Sequence, residues 1–519
     1  LPCDVIHLDI HYMDDYRCFT WNRDRFPAPR EMLADLREKG FRAMAIIDPG
    51  IKVDDQYAVY REGVRRDVFV KYPDGTRFTG PVWPGDCHFP DFTDPEVRAW
   101  WGELYRGLLE DGLSAFWNDM NEPALITVRP EYASVPDVVR HDAEGRGADH
   151  AEMHNLYGML MVRASAEGLR RLQPDRRPLI LTRSGWAGVQ RYALHWTGDN
   201  ASTWDHLRLS IQMVLNLGLS GIPITGPDVG GFTGGPGPEL YARWMQVGAF
   251  MPFFRVHSMS GSPDQEPWAF GPEVEAISRR YLELRYRLLP YLYTAVWQAS
   301  RTGIPVARAM SFVYPADPHT PGLDTQYLFG DSFLVAPVLE QGATSRPVYL
   351  PPGTWYDFWT GQQYHGGQTI SVAAPLETLP LFVRAGSVIP LWPVQQHVGE
   401  KVPAPLTLAA YWAPGEHSSL LYEDDGLCAN YESPEAHRLS RFVLRGGEEG
   451  TIGALVRLIE QGEYQPPASP AVLRLVGMSR PPSAIMLEGG TLINWEYSPE
   501  TRSLQVEFDA PREFTLSLR

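Results

Sequence analysis

Two carboxylates in one repeated setting define the chemistry this chain could perform. Ala115-Phe116-Trp117-Asn118-Asp119-Met120-Asn121-Glu122-Pro123 is a short apolar run that ends in a carboxylate beside an indole. His195-Trp196-Thr197-Gly198-Asp199-Asn200 repeats the arrangement about 80 positions later. Paired carboxylates flanked by rings that can stack on sugar C–H faces suit double displacement at a glycosidic bond. One carboxylate attacks the anomeric carbon; the other donates and then removes a proton. Taken singly, each aspartate is also an ordinary capping, salt-bridging or turn residue, so the elements around them must carry the argument.

Those elements alternate. Val5–Ile10 is a short, mostly apolar strand with Asp9 near its end. Pro29–Lys39 reads as a helix, with proline in the first turn, Met32, Leu33 and Leu36 on one face, and Gly40 as its stop. Arg42–Ile47 is a strand ending at Asp48-Pro49-Gly50. Asp94 caps the next helix, whose stripe is Val97, Trp100, Trp101, Leu104 and Leu108. Ser114–Trp117 is a strand leading to Asp119, and His150–Leu172 a long helix. Strands follow at Pro178–Thr182, Tyr192–Trp196, Gly221–Thr225 and Phe250–Val256.

Strands alternating with helices predict βαβ units and a parallel sheet. Asp9, Asp48, Asp119, Asp199 and Asp228 all fall near strand carboxyl ends, the catalytic face of a (β/α)8 barrel. A doubly wound sheet uses the same face but would show an early phosphate loop, and neither GxGxxG nor GxxxxGK[ST] occurs. Seven strands are recognisable where a closed barrel needs eight. The eighth is either concealed in the sequence or upstream of Leu1.

After about residue 303 the helical period disappears, and short Val/Leu/Tyr/Phe runs alternate with Pro/Gly/Asp turns, as in a β-sandwich. The organisation expected is a barrel over 1–303, a proximal β-sandwich over 304–394 and a distal one over 395–519. Tyr422-Glu423-Asp424-Asp425-Gly426 lacks the spacing of a calcium loop and reads as a hairpin turn.

Composition bounds the partners. A net charge of −17 argues against nucleic acid and anionic membranes, which need a basic footprint. No run of 18 apolar residues predicts a membrane helix. The four cysteines, Cys3, Cys18, Cys87 and Cys428, are widely spaced and read as free thiols of a reducing, cytoplasmic compartment. Leu1-Pro2-Cys3-Asp4 has no signal-peptide character. A homo-oligomer is compatible with the sequence.

The chain resembles glycoside hydrolase family 31, in its α-glucosidase branch. The resemblance is carried, in order, by Asp9-Ile10-His11-Tyr12-Met13-Asp14, Asp48-Pro49-Gly50-Ile51-Lys52, Val82-Trp83-Pro84-Gly85 and Trp117-Asn118-Asp119-Met120-Asn121-Glu122. It continues through Trp196-Thr197-Gly198-Asp199-Asn200, Gly226-Pro227-Asp228-Val229-Gly230-Gly231-Phe232, Pro252-Phe253-Phe254-Arg255-Val256-His257 and Phe382-Val383-Arg384-Ala385-Gly386. It spans roughly residues 2–440. It implies a barrel followed by two β-sandwich domains, with an N-terminal β-sandwich and the first barrel strand expected before the Asp9 motif. His11 and Arg308-Ala309 depart from the more usual Asp and Arg-Pro.

The resemblance makes Asp119 the nucleophile and Asp199 the acid/base. Retention requires their carboxyl groups about 5–5.5 Å apart, and Asp199 must be protonated when the aglycone leaves, which an anionic neighbour and burial by Trp196 would favour. Asp9, Arg183 and His257 should bind sugar hydroxyls. Asp48 and Asp228 either contact substrate or orient Arg183 and His257. Trp83, Trp117, Trp196, Phe232, Met120, Ile10 and Ile46 would wall the pocket, with simple barrel core as the alternative for the two isoleucines. Glu122 reads as holding the loop. The implied activity is that of an exo-acting retaining α-glucosidase on α-1,4 or α-1,6 glucosides, with no metal or organic cofactor. Another family activity such as α-xylosidase, or sugar binding without turnover, is the alternative.

Overall fold

The computed structural model describes residues 1–127, 133–400, 404–447, 452–466, 470–487, 490–492 and 495–518. The chain divides into two compact units, Cys3–Trp196 with Leu427–Ala429, and Leu1–Pro2 with Thr197–Gly426 and Asn430–Arg519.

The first unit runs β1 (Val5–Leu8), α1 (Pro29–Glu38), β2 (Arg42–Ile47), β3 (Ile51–Lys52), α2 (Ala58–Arg66), β4 (Gly80–Val82), β5 (Gly85–His88), α3 (Pro95–Glu103), α4 (Arg106–Asp111) and β6 (Ala115–Asn118). It continues with β7 (Arg140–His141), β8 (Ala148–Asp149), α5 (His150–Leu172), β9 (Ile180–Thr182) and β10 (Leu194–Trp196). Strands β1, β2, β6, β9 and β10 lie side by side in that order, all parallel. Five of the six β2 residues and all four of β6 are buried. A parallel strand covered on both faces must be apolar without alternation, as Ala-Met-Ala-Ile-Ile and Ala-Phe-Trp are.

The helices form where their caps dictate. Asp94 accepts from Glu96 N to start α3, with Pro95 in its first turn, and Asp149 accepts from Glu152 N to start α5. The single stripe expected from Val97 to Leu108 is divided between α3 and α4 at Leu104–Tyr105. Tyr105 is fully buried there and its hydroxyl meets Ser165 on α5, an anchor that takes over from helical continuity.

The second unit contains α6 (Trp204–Leu219), β11 (Thr225–Gly226), β12 (Asp228–Val229), α7 (Pro238–Ala249), β13 (Arg255–Val256), α8 (Pro272–Arg287) and α9 (Leu289–Thr302). β12 and β13 pair in parallel, Asp228 opposite Arg255. The strand expected over Phe250–Val256 is confined to its last two residues. Phe250 is the C-cap of α7, its N–H bonded to Val247 O, so its apolar character serves the core beneath a helix end. The strand expected over 221–225 begins only at Thr225, because Gly221 turns with φ +86°.

Beyond α9 the described chain is mainly strand. An antiparallel sheet orders Ala307–Ala309, Tyr327–Phe329, Phe333–Val335, Leu381–Arg384, Thr354–Asp357 and Gln363–His365. Two further sheets share one core, with Leu408, Leu473 and Leu504 from one and Leu421, Phe442, Leu455 and Leu516 from the other. The hairpin turn expected at Tyr422–Gly426 is instead largely strand. Gly415–Asp424 pairs with His437–Gly446, and the connection is the long loop 425–436. Glu423 accepts from both Arg438 and Arg457, and this ion pairing holds it in the ladder.

Candidate active site

In the first unit, four strands in succession end in a residue with chemistry. Asp9 follows β1 and its Oδ1 accepts from Ile10 N at 2.7 Å. Asp48 follows β2, Asp119 follows β6 and Arg183 follows β9. In barrel enzymes the carboxyl ends of such strands carry the reacting groups. Trp117 is buried, donates to Leu8 O at 3.3 Å, and meets Trp196 edge to face with centroids 5.8 Å apart.

One guanidinium ties the cluster together. Arg183 Nη1 lies 3.0 Å from Asp119 Oδ1. Its Nε and Nη2 each donate to one oxygen of Glu122 at 2.9 Å, a two-point fork that fixes the plane of the group. Nη2 also lies 3.1 Å from Met120 Sδ. Asp119 Oδ1 accepts from Met120 N at 2.7 Å, and Met120 has φ +54°, a left-handed conformation that costs a branchless L-residue roughly 1–2 kcal/mol. Strain of this kind marks positions held by their surroundings for a purpose. Asn121 closes the loop, donating to Thr182 Oγ1 at 2.9 Å and accepting from Ser184 N at 3.1 Å.

Asp48 is 4% exposed, and its Oδ1 has no hydrogen-bond partner among the described residues. Burial first, and the Asp119 charge second, push its carboxyl well above the usual range, with Arg183 pulling the other way. Asp48 therefore holds its proton more readily than an ordinary carboxylate. Ile46 and Ile10 are buried, and Ile46 O accepts from Tyr12 OH at 3.0 Å. Trp83 stands in the β4–β5 turn, 46% exposed, and among the described residues no hydrogen bond or ring contact joins it to the cluster.

The second unit holds the other sequence-derived residues. Asp199 is exposed and follows Gly198, whose φ is +76°. Its neighbour Asn200 stitches two loops: Nδ2 donates to Asp228 O at 3.0 Å, Oδ1 accepts from Phe232 N at 2.9 Å, and its carbonyl accepts from Thr233 N at 2.9 Å. Gly231 is required in that loop, because a Cβ there would sit 2.5 Å from Ser202 N, and its φ is +93°. Asp228 is fully buried and takes Arg255 Nε at 2.9 Å and Nη2 at 2.6 Å on one oxygen. Phe232 lies over His257 with centroids 5.2 Å apart, and burial, with Arg255 adding, pushes His257 down to about 3.

The structure thus gathers Asp119, Met120 and Glu122 around Arg183 in the first unit, with Asp48 close enough to sense the charges of Arg183, Asp119 and Asp9. In the second unit it joins Asp228 and Phe232 through Asn200, with His257 under Phe232. Sequence reasoning assigned no role to Arg255 or Asn200. Each lies within a motif already singled out, yet only the pairing of two-residue strands and the loop bonds reveal their work.

A parallel βα repeat whose strands end in carboxylates defines a class of barrel enzymes. Residues 1–295 match the glycosyl hydrolases family 31 TIM-barrel domain, and residues 303–389 match the glycosyl hydrolase family 31 C-terminal domain. The chain belongs to glycosyl hydrolase family 31, as a TIM barrel followed by C-terminal β domains. It is 45% identical over 467 residues to alpha-glucosidase 2 of Bacillus thermoamyloliquefaciens, covering 90% of this chain and 58% of that protein. It is 39% identical over 515 residues to human neutral alpha-glucosidase AB, covering 97% and 54%. Among solved structures it superposes on a Flavobacterium johnsoniae family 31 dextranase complexed with isomaltotriose, with TM-score 0.92 and 32% identity, covering 100% and 67%. With an alpha-xylosidase of Xanthomonas citri the TM-score is 0.82 and the identity 29%, covering 100% and 56%. The chain spans little more than half the length of the curated relatives it matches. Among the described residues no helix is long and apolar enough to cross a membrane.

Proposed function

We propose that this chain is the catalytic part of an exo-acting retaining α-glucosidase, cleaving terminal nonreducing α-1,4- or α-1,6-linked glucose by double displacement. The observation that carries the reading is the Asp119–Arg183–Glu122 arrangement, a carboxylate held in an aimed, strained loop by a forked cation. Asp119 attacks the anomeric carbon and forms the glycosyl-enzyme, while Asp199 protonates the departing oxygen and then takes a proton from water. Both are exposed enough to meet substrate. Asp9, Arg183 and His257 hold sugar hydroxyls. Asp48, whose pKa burial raises, donates a hydrogen bond when it holds its proton. Asp228 aims Arg255, Glu122 aims Arg183, and Trp83, Trp117, Trp196, Phe232, Met120, Ile10 and Ile46 form the walls.

That the relatives are alpha-glucosidases supports the glucose specificity, and the net negative charge suits a neutral oligosaccharide and not nucleic acid. The chain's domains run 1–303, 304–394 and 395–519, and the end of α9 at Thr302 supports the first of these limits. The free thiols favour a reducing, cytoplasmic setting. The test is release of p-nitrophenol from p-nitrophenyl α-D-glucoside by the chain and by Asp119→Ala. Turnover that vanishes in the variant supports the reading, and faster turnover of the α-xyloside overturns the glucose assignment.

A further inference from the structure

A line of four hydrogen-bonded groups in the first unit lies outside the site described above. His141 Nδ1 is 3.0 Å from Asp91 Oδ1, His141 Nε2 is 2.9 Å from His150 Nδ1, and His150 Nε2 is 3.1 Å from His154 Nδ1. Asp91, His141 and His150 are buried; His154 is half-buried and forms the outer end. The line joins the segment after β5 to the β7 strand and the first two turns of α5.

Each nitrogen-to-nitrogen contact holds one proton, so the bonds must agree on a direction. Asp91 is an ionised acceptor: it also takes Thr93 N, Thr93 Oγ1 and Asp142 N. His141 must then donate from Nδ1. If His141 is neutral its Nε2 is bare, so His150 donates from Nδ1, leaves its own Nε2 bare, and receives from His154 Nδ1. One added proton satisfies every bond wherever the charge rests, on His154, His150 or His141, and the pattern that places it against the Asp91 carboxylate directs every bond outward. His141 is then imidazolium against Asp91 and donates outward, and His150 and His154 both carry their proton on Nε2.

We propose that Asp91, His141, His150 and His154 form a two-state proton relay, neutral with its bonds directed inward and cationic with its bonds directed outward. The step balances without a co-reactant. A solvent proton binds His154 Nε2, the Nδ1 proton of His154 passes to His150 Nε2, and that of His150 passes to His141 Nε2. Net charge rises by one and comes to rest beside Asp91. The neighbouring charges are compatible with this. Burial, reinforced by His141 and His154, pushes His150 down to about 3, with Asp149 opposing. Tyr157 packs on both inner rings, and Arg98, paired with Glu144, is bonded to the Phe92 and Thr93 carbonyls next to Asp91. The relay sits one turn before Gly158, where a Cβ would lie 2.7 Å from Asn121 O. The first turns of α5 therefore bear directly on the loop that follows Asp119. The inference does not depend on the catalytic roles proposed above.

Long-range 1H–15N spectra of the 15N-histidine-labelled chain test it. At about pH 8 all three rings should be Nδ1–H, against the Nε2–H preference of free imidazole. On acidification of the folded protein, His150 and His154 should change tautomer in the same step that charges His141. An Nε2–H ring among the three at about pH 8, or separate midpoints, overturns the proposal. Asp91→Asn retains the inward pattern but removes the counter-charge, so the common midpoint should fall by about one pH unit or more. An unchanged midpoint in that variant also overturns it, and if it does not fold, the spectra of the unaltered chain decide alone.

Discussion

The carboxylates of the first unit and the buried pair of the second solve opposite electrostatic problems. Around Arg183 two carboxylates, Asp119 and Glu122, lean on one guanidinium, and the carboxyl of buried Asp48 is pushed above its usual range. Around Asp228 one buried carboxylate faces one buried guanidinium in strand register. A crowded cluster is poor for stability and useful for chemistry, because a neutral acid and an anion can stand together and take different tasks. A buried pair holds its place but has little freedom to exchange protons.

If this contrast is right, substitutions should separate activity from stability. The largest effect belongs to Asp119→Ala, which should lower kcat on p-nitrophenyl α-D-glucoside by about four to six orders of magnitude with little change in Tm. More than about a hundredth of the activity remaining would show that the cluster is not reactive. Next comes Arg255→Met, which strands a buried anion at Asp228. Chemical denaturation should report a loss of about 3–5 kcal/mol, and a loss under about 1 kcal/mol would dissolve the distinction between the two units.

Glu122→Gln should do the reverse. Its fork to Arg183 is partly open to solvent, so unfolding free energy should change by about 1 kcal/mol or less, while kcat falls as Arg183 loses its aim. Unchanged kinetics would make Glu122 a bystander.

The smallest effect is also the most diagnostic. Asp48 has its folded pKa raised, so the folded state binds more protons than the unfolded state above the ordinary value near 3.8. The stability this group contributes is complete at low pH and is lost as pH rises through the folded value. Asp48→Asn removes that loss, so near neutral pH its Tm should equal or exceed that of the unaltered chain. His257 works with the opposite sign. Its folded pKa is depressed to about 3, so stability is complete above about 6.5 and is lost as pH falls toward 3. A Tm for Asp48→Asn clearly below that of the unaltered chain near neutral pH would mean that Asp48 is ionised and bonded.

Much of this was legible before any coordinates. Arg42–Ile47 and His150–Leu172 appear with the limits expected of them, because an apolar run and a long helical pattern are local statements. The strand drawn through Phe250–Val256 failed because a buried helix end and a buried strand are equally apolar. Asp119 could be picked out as a candidate from its setting. The left-handed turn at Met120 could not, since a residue type gives no warning of a conformation imposed by neighbours distant in sequence. The Arg255 partner of Asp228 was invisible for the same reason: its register exists only once two-residue strands meet.

Leu427–Ala429 adds a matter of timing. These residues belong to the first unit, where Arg177 N bonds Leu427 O, Arg177 Nε bonds Cys428 O and Ala429 N bonds Asp175 O. The partners are 251 positions apart at Cys428. A ribosome synthesising this chain would therefore have finished Cys3–Trp196, and then most of a second unit, before it delivered the three residues that complete the first. Until then Asp175 O and Arg177 N lack these partners, and their late arrival sets the earliest moment at which the first unit can be whole.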